Sequence, residues 1–257
     1  ALVDNIRSLG ASFLKLAQVL ATRADFFDPR YLQALRQLHD KMPAMSEKYR
    51  SRAFHRAFPN PEVFAEFDDV PIASASIGQV HKAKLRDSGE IVAVKLLREN
   101  IQFKVRVDIF LLNLFLRLFR PLFTDQTRHS IESVLRAFSQ VILQEVSMLQ
   151  ELANLEHFSQ VYADAGVRFP IPYKAYCSYT ALVMSFEEGA RFDDVDAVAK
   201  LDVPFRELMQ KLVLFYTEQM LVKGYFHADP HPGNLLVNPQ GELILLDFGM
   251  VSRIPQQ

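Results

Sequence analysis

Several features that mark whole classes of protein are scarce or missing in this sequence. Its one cysteine cannot form an internal disulfide, which suits a reducing compartment. The formal net charge of -1 provides no basic field for nucleic acid, so we expect no nucleic-acid partner. The apolar stretch at residues 109–119 is too short and too interrupted by charge to span a membrane. The sequence therefore favours neither a disulfide scaffold nor a nucleic-acid-binding protein.

The composition is that of an ordinary globular protein, with 49% hydrophobic and 23% charged residues. A chain of 257 residues is long enough for one large domain or two lobes. Near the start, apolar side chains recur every three or four positions, which predicts a helix, and a second helix follows Asp28-Pro29. Lys15 falls on the polar stripe of the first helix, where periodicity alone favours a solvated surface lysine.

The segment from residue 71 to residue 96 predicts a small β-rich unit. A loop of small residues leads into a strand over 80–85, and a second strand over 91–96 carries Lys95. Such a lysine usually protects a sheet edge, but in kinases it holds the α- and β-phosphates of ATP. The kinase G-x-G-x-x-G pattern is missing. Serine and alanine replace its glycines, which predicts a stiffer loop that offers hydroxyls to phosphates.

Residues 101–161 predict helices. The apolar segment 109–119 would be either buried or an interfacial amphipathic helix, and core packing is the favoured alternative. A long helix is predicted from Ile131 to Val161. It carries Glu145 and Glu151, which by default are solvated carboxylates on the helix surface.

Residues 181–189 predict a strand that runs into an acidic, glycine-ended connection. This pattern is typical of a kinase hinge, in which Met184 and Phe186 would line the adenine pocket. An edge strand followed by a turn is the alternative. Residues 205–222 have helical periodicity and predict the helix that packs under the catalytic loop.

The most specific pattern is His227-Ala228-Asp229-Pro230-His231-Pro232-Gly233-Asn234, followed by Asp247-Phe248-Gly249. Two short apolar runs between these segments, joined by Pro239-Gln240-Gly241, predict a β-hairpin that brings Asn234 and Asp247 to one end of adjacent strands. An amide oxygen and a carboxylate there can bind Mg²⁺. Asp229 is then left to orient or deprotonate an acceptor, so the pattern predicts a phosphoryl-transfer loop.

Two other interpretations of this loop are weaker. His227, Asp229 and His231 could be turn residues that cap neighbouring backbone groups. The two histidines could also bind zinc, but their four-residue spacing does not fall on a helix and Cys177 is remote. The structural context of the motif favours phosphoryl transfer.

Together these residues resemble the UbiB/ADCK family of atypical kinase-like proteins, over nearly the whole chain. Lys15-Leu16-Ala17-Gln18 resembles the family's K-x-G-Q signature, and residues 73–81 resemble its alanine-rich loop. Glu145-Val146-Ser147, with Glu151 and Asn154 beyond it, resembles the E-x-D helix. The H-x-D-P-H-P-G-N and D-F-G segments complete the set, and ordinary kinases lack the Pro-His-Pro-Gly filling.

The resemblance implies a role for each of these residues. Lys95 would pair with Glu151 and hold the nucleotide phosphates. Lys15 and Gln18 would reach from the N-terminal extension into the active site and contact Glu145. The implied site consists of catalytic residues Asp229, Lys95, Glu151, Lys15, Gln18 and Glu145, cofactor-binding residues Ala73, Ser74, Ala75, Ser76, Val80, Lys95, Met184 and Phe186, and metal ligands Asn234 and Asp247.

The chain departs from the family pattern at two positions. Ala17 replaces the glycine of K-x-G-Q and adds a methyl group there. Ser147 replaces the acid of E-x-D and removes a negative charge near the metal and phosphates. Both departures concern the regulatory contact of the extension more than nucleotide binding.

The resemblance implies an α+β, two-lobed fold of the protein-kinase type. A helical extension would occupy residues 1–60, a kinase-like N-lobe with a helical insert residues 61–190, and the start of a C-lobe residues 191–257. The chain ends shortly after D-F-G, so we expect a fragment with a truncated C-lobe. The family is linked to ubiquinone and other prenyl-lipid metabolism, with ATPase activity and membrane association.

We therefore expect an ATP- and Mg²⁺-binding ATPase, or a small-molecule or lipid kinase, that supports isoprenoid-quinone biosynthesis. The expected partners are ATP, a prenyl lipid or quinone precursor, a membrane surface and proteins of a quinone-biosynthesis complex. The expected location is intracellular and peripheral to an energy-transducing membrane, either the bacterial inner membrane or an organelle's. The alternative is a non-catalytic pseudokinase that binds nucleotide as a switch. An ordinary protein kinase is disfavoured by the alanine-rich loop and the extension.

Overall fold

The computed structural model of the chain describes residues 11–21 and 42–254, and the helix predicted after Asp28-Pro29 lies outside them. Helices and mostly antiparallel sheets are mixed, which confirms the α+β class. The chain forms two compact units. The first contains the described residues of Ala1–Pro59, Asp69–His81 and Leu96–Ser147; the second contains those of Asn60–Asp68, Lys82–Lys95 and Met148–Gln257. The boundaries of these units differ from those of the predicted extension (1–60), N-lobe (61–190) and start of a C-lobe (191–257). The division into these three segments stays a prediction.

Helices dominate the described part of the first unit. They are α1 (Ala11–Ala21), α2 (Glu47–Ala57), α3 (Ile101–Leu118) and α4 (Asp125–Glu145). Helix α1 packs against α3 and α4. Thr124 caps α4 by accepting the Thr127 N–H at 3.3 Å. The core of this unit includes Val105 on α3 and Phe138 and Ile142 on α4, all fully buried.

The expectation that residues 109–119 pack in the core is wrong. Ile101 and Val105 of α3 are buried, but the opposite face exposes a row of large apolar side chains, namely Phe103, Phe110, Leu111, Leu114, Phe115 and Leu118. The helix is apolar on both faces, and in the described part of the chain only one face is covered. The apolar periodicity of the sequence could not show which face of α3 is covered, because periodicity does not indicate which other elements pack against a helix.

The single helix predicted from Ile131 to Val161 is broken. Helix α4 ends at Glu145, and α5 (Met148–Val161) begins after a short turn. The Gln102 side-chain amide donates to the Val146 carbonyl at 2.7 Å, and the Ser147 N–H bonds the Gln144 carbonyl at 3.1 Å in a tighter turn. Both contacts interrupt the regular i to i+4 hydrogen bonds of an α-helix. The Val146 carbonyl is bonded by a side chain, and the bond from Ser147 closes a tighter turn.

Most strand residues belong to the second unit, whereas Ala73–Ser74, residues 78–81 and residues 96–97 belong to the first. The sheets have the orders β1-β3-β4-β6 with β2 beside β3, β5-β10-β9-β7, and β11-β8. The strands are β1 (Phe64–Phe67), β2 (Ala73–Ser74), β3 (Gly78–Leu85), β4 (Ile91–Leu97), β5 (Val167–Arg168), β6 (Ala181–Ser185), β7 (Ala190–Arg191), β8 (Tyr225–His227), β9 (Leu235–Val237), β10 (Leu243–Leu245) and β11 (Val251–Arg253). The strands predicted over 80–85 and 91–96 are confirmed as β3 and β4.

The remaining helices of the second unit are α6 (Val195–Ala199) and α7 (Phe205–Thr217). The helix predicted over 205–222 is confirmed as far as Thr217. The chain then widens into a π-helical stretch, Glu218–Lys223, that ends at Gly224 with a φ of 64°. A left-handed glycine at this position is a common way to end a helix.

Aromatic rings form the core of the second unit around Phe158. Its ring centroid lies 4.6 Å from that of Tyr162, 5.6 Å from Phe248 and 6.2 Å from Phe215. Tilted and edge-to-face contacts of this kind are favourable beyond the apolar area that they bury. The cluster ties α5 and α7 to the D-F-G segment.

Phe158→Ala removes a fully buried ring. We expect the free energy of unfolding to fall by about 3–5 kcal/mol, because transfer and cavity terms add. Phe110→Ala is the matched control: its ring is 64% exposed, and a change within about 0.5 kcal/mol is expected. Urea unfolding followed by circular dichroism measures both, and equal losses would contradict the assignment of the core.

Candidate active site

Lys95 lies at the centre of a charged cluster in the second unit. Its Nζ donates to Glu151 Oε1 at 2.6 Å and to Asp247 Oδ1 at 3.1 Å. Lys95 is on β4, Glu151 is in the first turn of α5, and Asp247 follows β10. Their side chains are 16%, 2% and 37% exposed, respectively. The Lys95–Glu151 pair implied by the resemblance is present, and neither a sheet-edge Lys95 nor a solvated Glu151 is found.

One ammonium group faces two carboxylates in this cluster. Burial alone would raise the pKa of Asp247, but Lys95 and the Gly249 N–H hold that pKa below its usual range. Burial, joined by the negative charge of Asp247, raises the pKa of Glu151 to about 7 despite Lys95. Burial opposes the charge of Lys95, yet the two carboxylates raise its pKa. Near neutral pH, therefore, Lys95 and Asp247 are charged, and Glu151 is the member of the cluster that titrates in this range.

The hairpin predicted after the catalytic loop is confirmed. Strand β9 pairs antiparallel with β10, and the Leu246 N–H donates to the Asn234 carbonyl at 2.9 Å. This bond fixes the Asn234 backbone beside the residue that precedes Asp247. The two positions predicted to bind Mg²⁺ therefore lie at the same end of adjacent strands.

Asp229 lies in the loop between β8 and the 3-10 turn Pro232–Asn234. Its carbonyl accepts the His231 N–H at 2.7 Å. Within the described residues no hydrogen bond reaches its half-buried carboxylate, which leaves the carboxylate open to an acceptor hydroxyl. Burial and the charge of Asp229 together raise the pKa of the neighbouring Tyr216 to about 12.

The chemistry of this loop fits magnesium better than zinc. The Asp247 carboxylate and the half-buried Asn234 amide supply the hard oxygen donors that Mg²⁺ prefers. His227 Nε2 lies 2.7 Å from the Asp247 carbonyl, whereas His231 Nδ1 accepts the Gly233 N–H at 3.0 Å. The two rings thus serve separate backbone contacts. No group of three or more His, Cys, Asp or Glu that could hold a metal occurs in the described residues.

The segment expected to act as the hinge follows β6. Met184 is 4% exposed on this strand, and Lys82 Nζ lies 4.6 Å from the centroid of the Phe186 ring. The Ser185 hydroxyl donates to Glu187 Oε1 at 2.6 Å, which orders the acidic connection. The adenine-binding roles of Met184 and Phe186 stay predictions.

The alanine-rich loop, in the first unit, is a closed hairpin. Ala73 pairs with Val80 across β2 and β3, and the Ala75 N–H donates to the Gly78 carbonyl at 2.9 Å. A Cβ on Gly78 would lie only 2.8 Å from the Leu96 carbonyl, so only glycine allows this close approach.

The serines predicted to offer hydroxyls to phosphates, Ser74 and Ser76, contact or lie among protein groups in this structure. Ser74 Oγ accepts a hydrogen bond from Arg98 Nη2 at 3.0 Å, and Arg98 Nε also donates to the Ala75 carbonyl at 3.0 Å. Ser76 is only 2% exposed. Arg98 therefore bonds two successive residues of this loop, Ser74 and Ala75. The role of the loop in cofactor binding stays a prediction.

The first unit also contains the contact implied for the extension. Lys15 Nζ lies 2.7 Å from Glu145 Oε1, and the two side chains are 10% and 5% exposed. The predictions that Lys15 and Glu145 are solvated surface residues are therefore wrong. Ala17 is 4% exposed, so the methyl group that departs from K-x-G-Q is buried. The side chain of Gln18 lies outside the described residues.

Residues 37–257 match the family described as the ABC1 atypical kinase-like domain. The chain belongs to this family. The match confirms the resemblance to UbiB/ADCK proteins and, with it, the kinase-like fold.

Known relatives of this ABC1 chain include two chloroplastic proteins of Arabidopsis thaliana. This chain is 35% identical over 252 residues to the protein named activity of bc1 complex kinase 3. The match covers 97% of this chain and 35% of that protein. This chain is 30% identical over 254 residues to activity of bc1 complex kinase 7, covering 98% of this chain and 36% of the relative. The chain thus spans about a third of the length of these relatives.

A solved structure supports the same fold. Rv3197 of Mycobacterium tuberculosis, determined in complex with erythromycin, has a TM-score of 0.62 and 26% sequence identity to this ABC1 chain. The similarity covers 94% of this chain and 60% of that one.

Three residues around the catalytic loop and the D-F-G segment of this ABC1 domain were assigned no role from the sequence. Asn154 Nδ2 donates to the Phe248 carbonyl at 2.8 Å, and the Gln219 side chain accepts the His227 N–H at 2.8 Å. A Cβ on Gly233 would lie 2.9 Å from Arg191 Nη2, so Arg191 packs against the catalytic loop. The resemblance to the E-x-D helix named Asn154 without giving it a role, and its spacing does not mark it; Gln219 and Arg191 carry no signal in the sequence.

The raised pKa of Glu151 predicts a pH-dependent stability in metal-free protein. A folded-state pKa of about 7 lies above the ordinary 4.5, so the contribution of Glu151 to the free energy of unfolding is full below pH 4.5 and lost as pH rises through 7. In the variant Glu151→Gln the side chain at this position does not titrate in this pH range. Between about pH 5 and pH 8, we expect the free energy of unfolding of the wild type to fall by a few kcal/mol relative to that of Glu151→Gln. Urea unfolding with a chelator present measures this, and a difference that does not vary with pH would contradict it.

Proposed function

We propose that this chain binds ATP with Mg²⁺ and either hydrolyses ATP or transfers its γ-phosphoryl group to a small or lipid-linked acceptor. The observation that carries the proposal is the charged cluster in which Lys95 pairs with both Glu151 and Asp247. Kinases use a strand lysine, a helix glutamate and the D-F-G aspartate in this combination. Membership of the ABC1 family supports the same reaction class.

Each residue of the candidate site would have a distinct role. Lys95, held by Glu151, would bring its positive charge to the nucleotide phosphates. Asn234 and Asp247 would hold Mg²⁺, which when bound offsets charge on the phosphoryl group. Asp229 would accept the hydrogen bond of the attacking hydroxyl or water and so orient it. Positioning and charge neutralisation would supply most of the rate, as in other phosphoryl transfers.

The same proposal extends to the biological setting. We infer a role in isoprenoid-quinone biosynthesis, with a prenyl lipid or quinone precursor as ligand and proteins of that pathway as partners. The expected place is the surface of an energy-transducing membrane. No helix in the described residues is long and apolar enough to cross a membrane. The names of the two Arabidopsis relatives, which are chloroplastic kinases, support an organellar setting for proteins of this type.

A nucleotide-binding pseudokinase is the alternative function. The observation in its favour is in the first unit, where the buried pair of Lys15 and Glu145 joins the two motifs that depart from the family pattern. A pure switch would bind nucleotide and release no phosphate above the level of a Lys95→Ala variant. Robust phosphorylation of a generic peptide would instead indicate an ordinary protein kinase.

Asp247→Asn tests the catalytic proposal, because it removes the carboxylate charge from the expected metal site while keeping the size of the side chain. We expect Mg²⁺-dependent phosphate release from ATP to fall by about a hundredfold or more. Asp164→Asn, at an exposed position on the surface of the second unit, is the matched control and should keep full activity.

Nucleotide binding is measured on the same proteins by calorimetry with and without Mg²⁺. Unchanged turnover in Asp247→Asn would reject the metal assignment. Tight binding without release in the wild type would favour the switch.

A further inference from the structure

The exposed face of α3 is a continuous apolar surface. Phe103, Phe110, Leu114 and Leu118 line one side of this 18-residue helix, because they are spaced by near-multiples of its turn. Phe103, Phe110 and Leu118 are 69%, 64% and 67% exposed. Single exposed apolar residues are normal on a protein surface, whereas a contiguous row of this size marks an interaction site.

The surface continues beyond the end of the helix. Phe119 is 41% exposed, and its ring packs on Phe115 with 4.4 Å between centroids. Leu122, in the 3-10 turn that follows, is 76% exposed. Meanwhile Ile101 and Val105 anchor the inner face of α3 in the first unit. The apolar face is therefore held in place by folded protein and does not depend on a partner for its helical shape.

Positive charge borders this face. Residues 101–122 contain four basic side chains, Lys104, Arg106, Arg117 and Arg120, against one acid, Asp108, which is a net charge of +3 by subtraction. The whole chain, by contrast, has a net charge of -1. All four basic residues are exposed. Long cationic side chains at the edge of an apolar helix face can reach anionic headgroups while the apolar side chains enter the acyl boundary.

We propose that this face, residues 103–122, docks α3 in the headgroup layer of a membrane that contains anionic lipid. The described helices cannot span a bilayer, so the helix would lie in the plane of the interface. A second copy of the chain fits less well, because two-fold symmetry would bring the same basic borders together. The proposal gives the membrane association proposed above a specific surface, and it does not depend on phosphoryl transfer.

Vesicle sedimentation with the full chain, without nucleotide, tests the proposal. The vesicles are phosphatidylcholine alone or phosphatidylcholine with about one third phosphatidylglycerol. We expect wild type to bind the anionic vesicles and to be released by high salt. Phe110→Ser with Leu118→Ser should weaken this binding by about tenfold or more, and Arg106→Gln with Arg117→Gln by a few fold. Val213→Ser with Leu214→Ser is the matched control, since these α7 residues are 57% and 68% exposed in the second unit.

The absence of tryptophan from the chain allows a direct test of contact. Phe110→Trp places a single indole on the α3 face, and its emission should shift to the blue and be quenched by brominated lipid in anionic vesicles. Phe205→Trp, at a residue 56% exposed on α7, should show neither effect.

Some outcomes would overturn the proposal. They are equal binding of wild type to neutral and anionic vesicles, full binding by the serine variant, an equal loss in the α7 control, or an unshifted Phe110→Trp spectrum. Self-association that depends on Phe110 and Leu118, seen by analytical ultracentrifugation in place of vesicle binding, would assign the face to a second copy. ATP turnover is measured separately, so a chain without turnover that still binds vesicles rejects only the catalytic proposal.

Discussion

The geometry of the candidate active site depends on one buried ammonium group shared by two carboxylates. A charge this deep is costly unless it is paired, and Lys95 is paired on both sides. Glu151 and Asp247 come from a helix and from the end of a hairpin, so one side chain holds both elements to β4. Removing either carboxylate would change both the stability and the chemistry of the site, because the charges that position it are also those that would meet the phosphates.

The backbone of the D-F-G segment is fixed by groups around this cluster. The Phe248 carbonyl accepts a hydrogen bond from Asn154, and the Asp247 carbonyl lies 2.7 Å from His227 Nε2. The Phe248 ring packs against Phe158 in the aromatic core. A site held from several directions by packing and hydrogen bonds needs little reorganisation when its ligand arrives, which is the condition for electrostatic catalysis.

The first unit presents a different kind of surface. Its buried Lys15–Glu145 pair and its closed alanine-rich hairpin, held by Arg98, are internal constraints. The outer face of α3 combines exposed aromatic rings with a basic border and is not covered by the residues that the structure describes. The charged cluster of the second unit and the apolar α3 face of the first unit therefore support two separate proposals, one for phosphoryl transfer and one for membrane docking.

The sequence by itself determined the β9–β10 hairpin and the H-x-D-x-x-x-x-N and D-F-G motifs and, through the family resemblance, the α+β class and the pairing of Lys95 with Glu151. Local spacing and motif chemistry encode such features, because turns, strands and loop residues act over a few positions. Only the tertiary structure decided that Lys15 and Glu145 are buried, that α4 and α5 are separate helices, and that α3 exposes an apolar face. Those outcomes depend on which distant groups meet, such as Gln102 with the Val146 carbonyl. Periodicity carries no record of such partners.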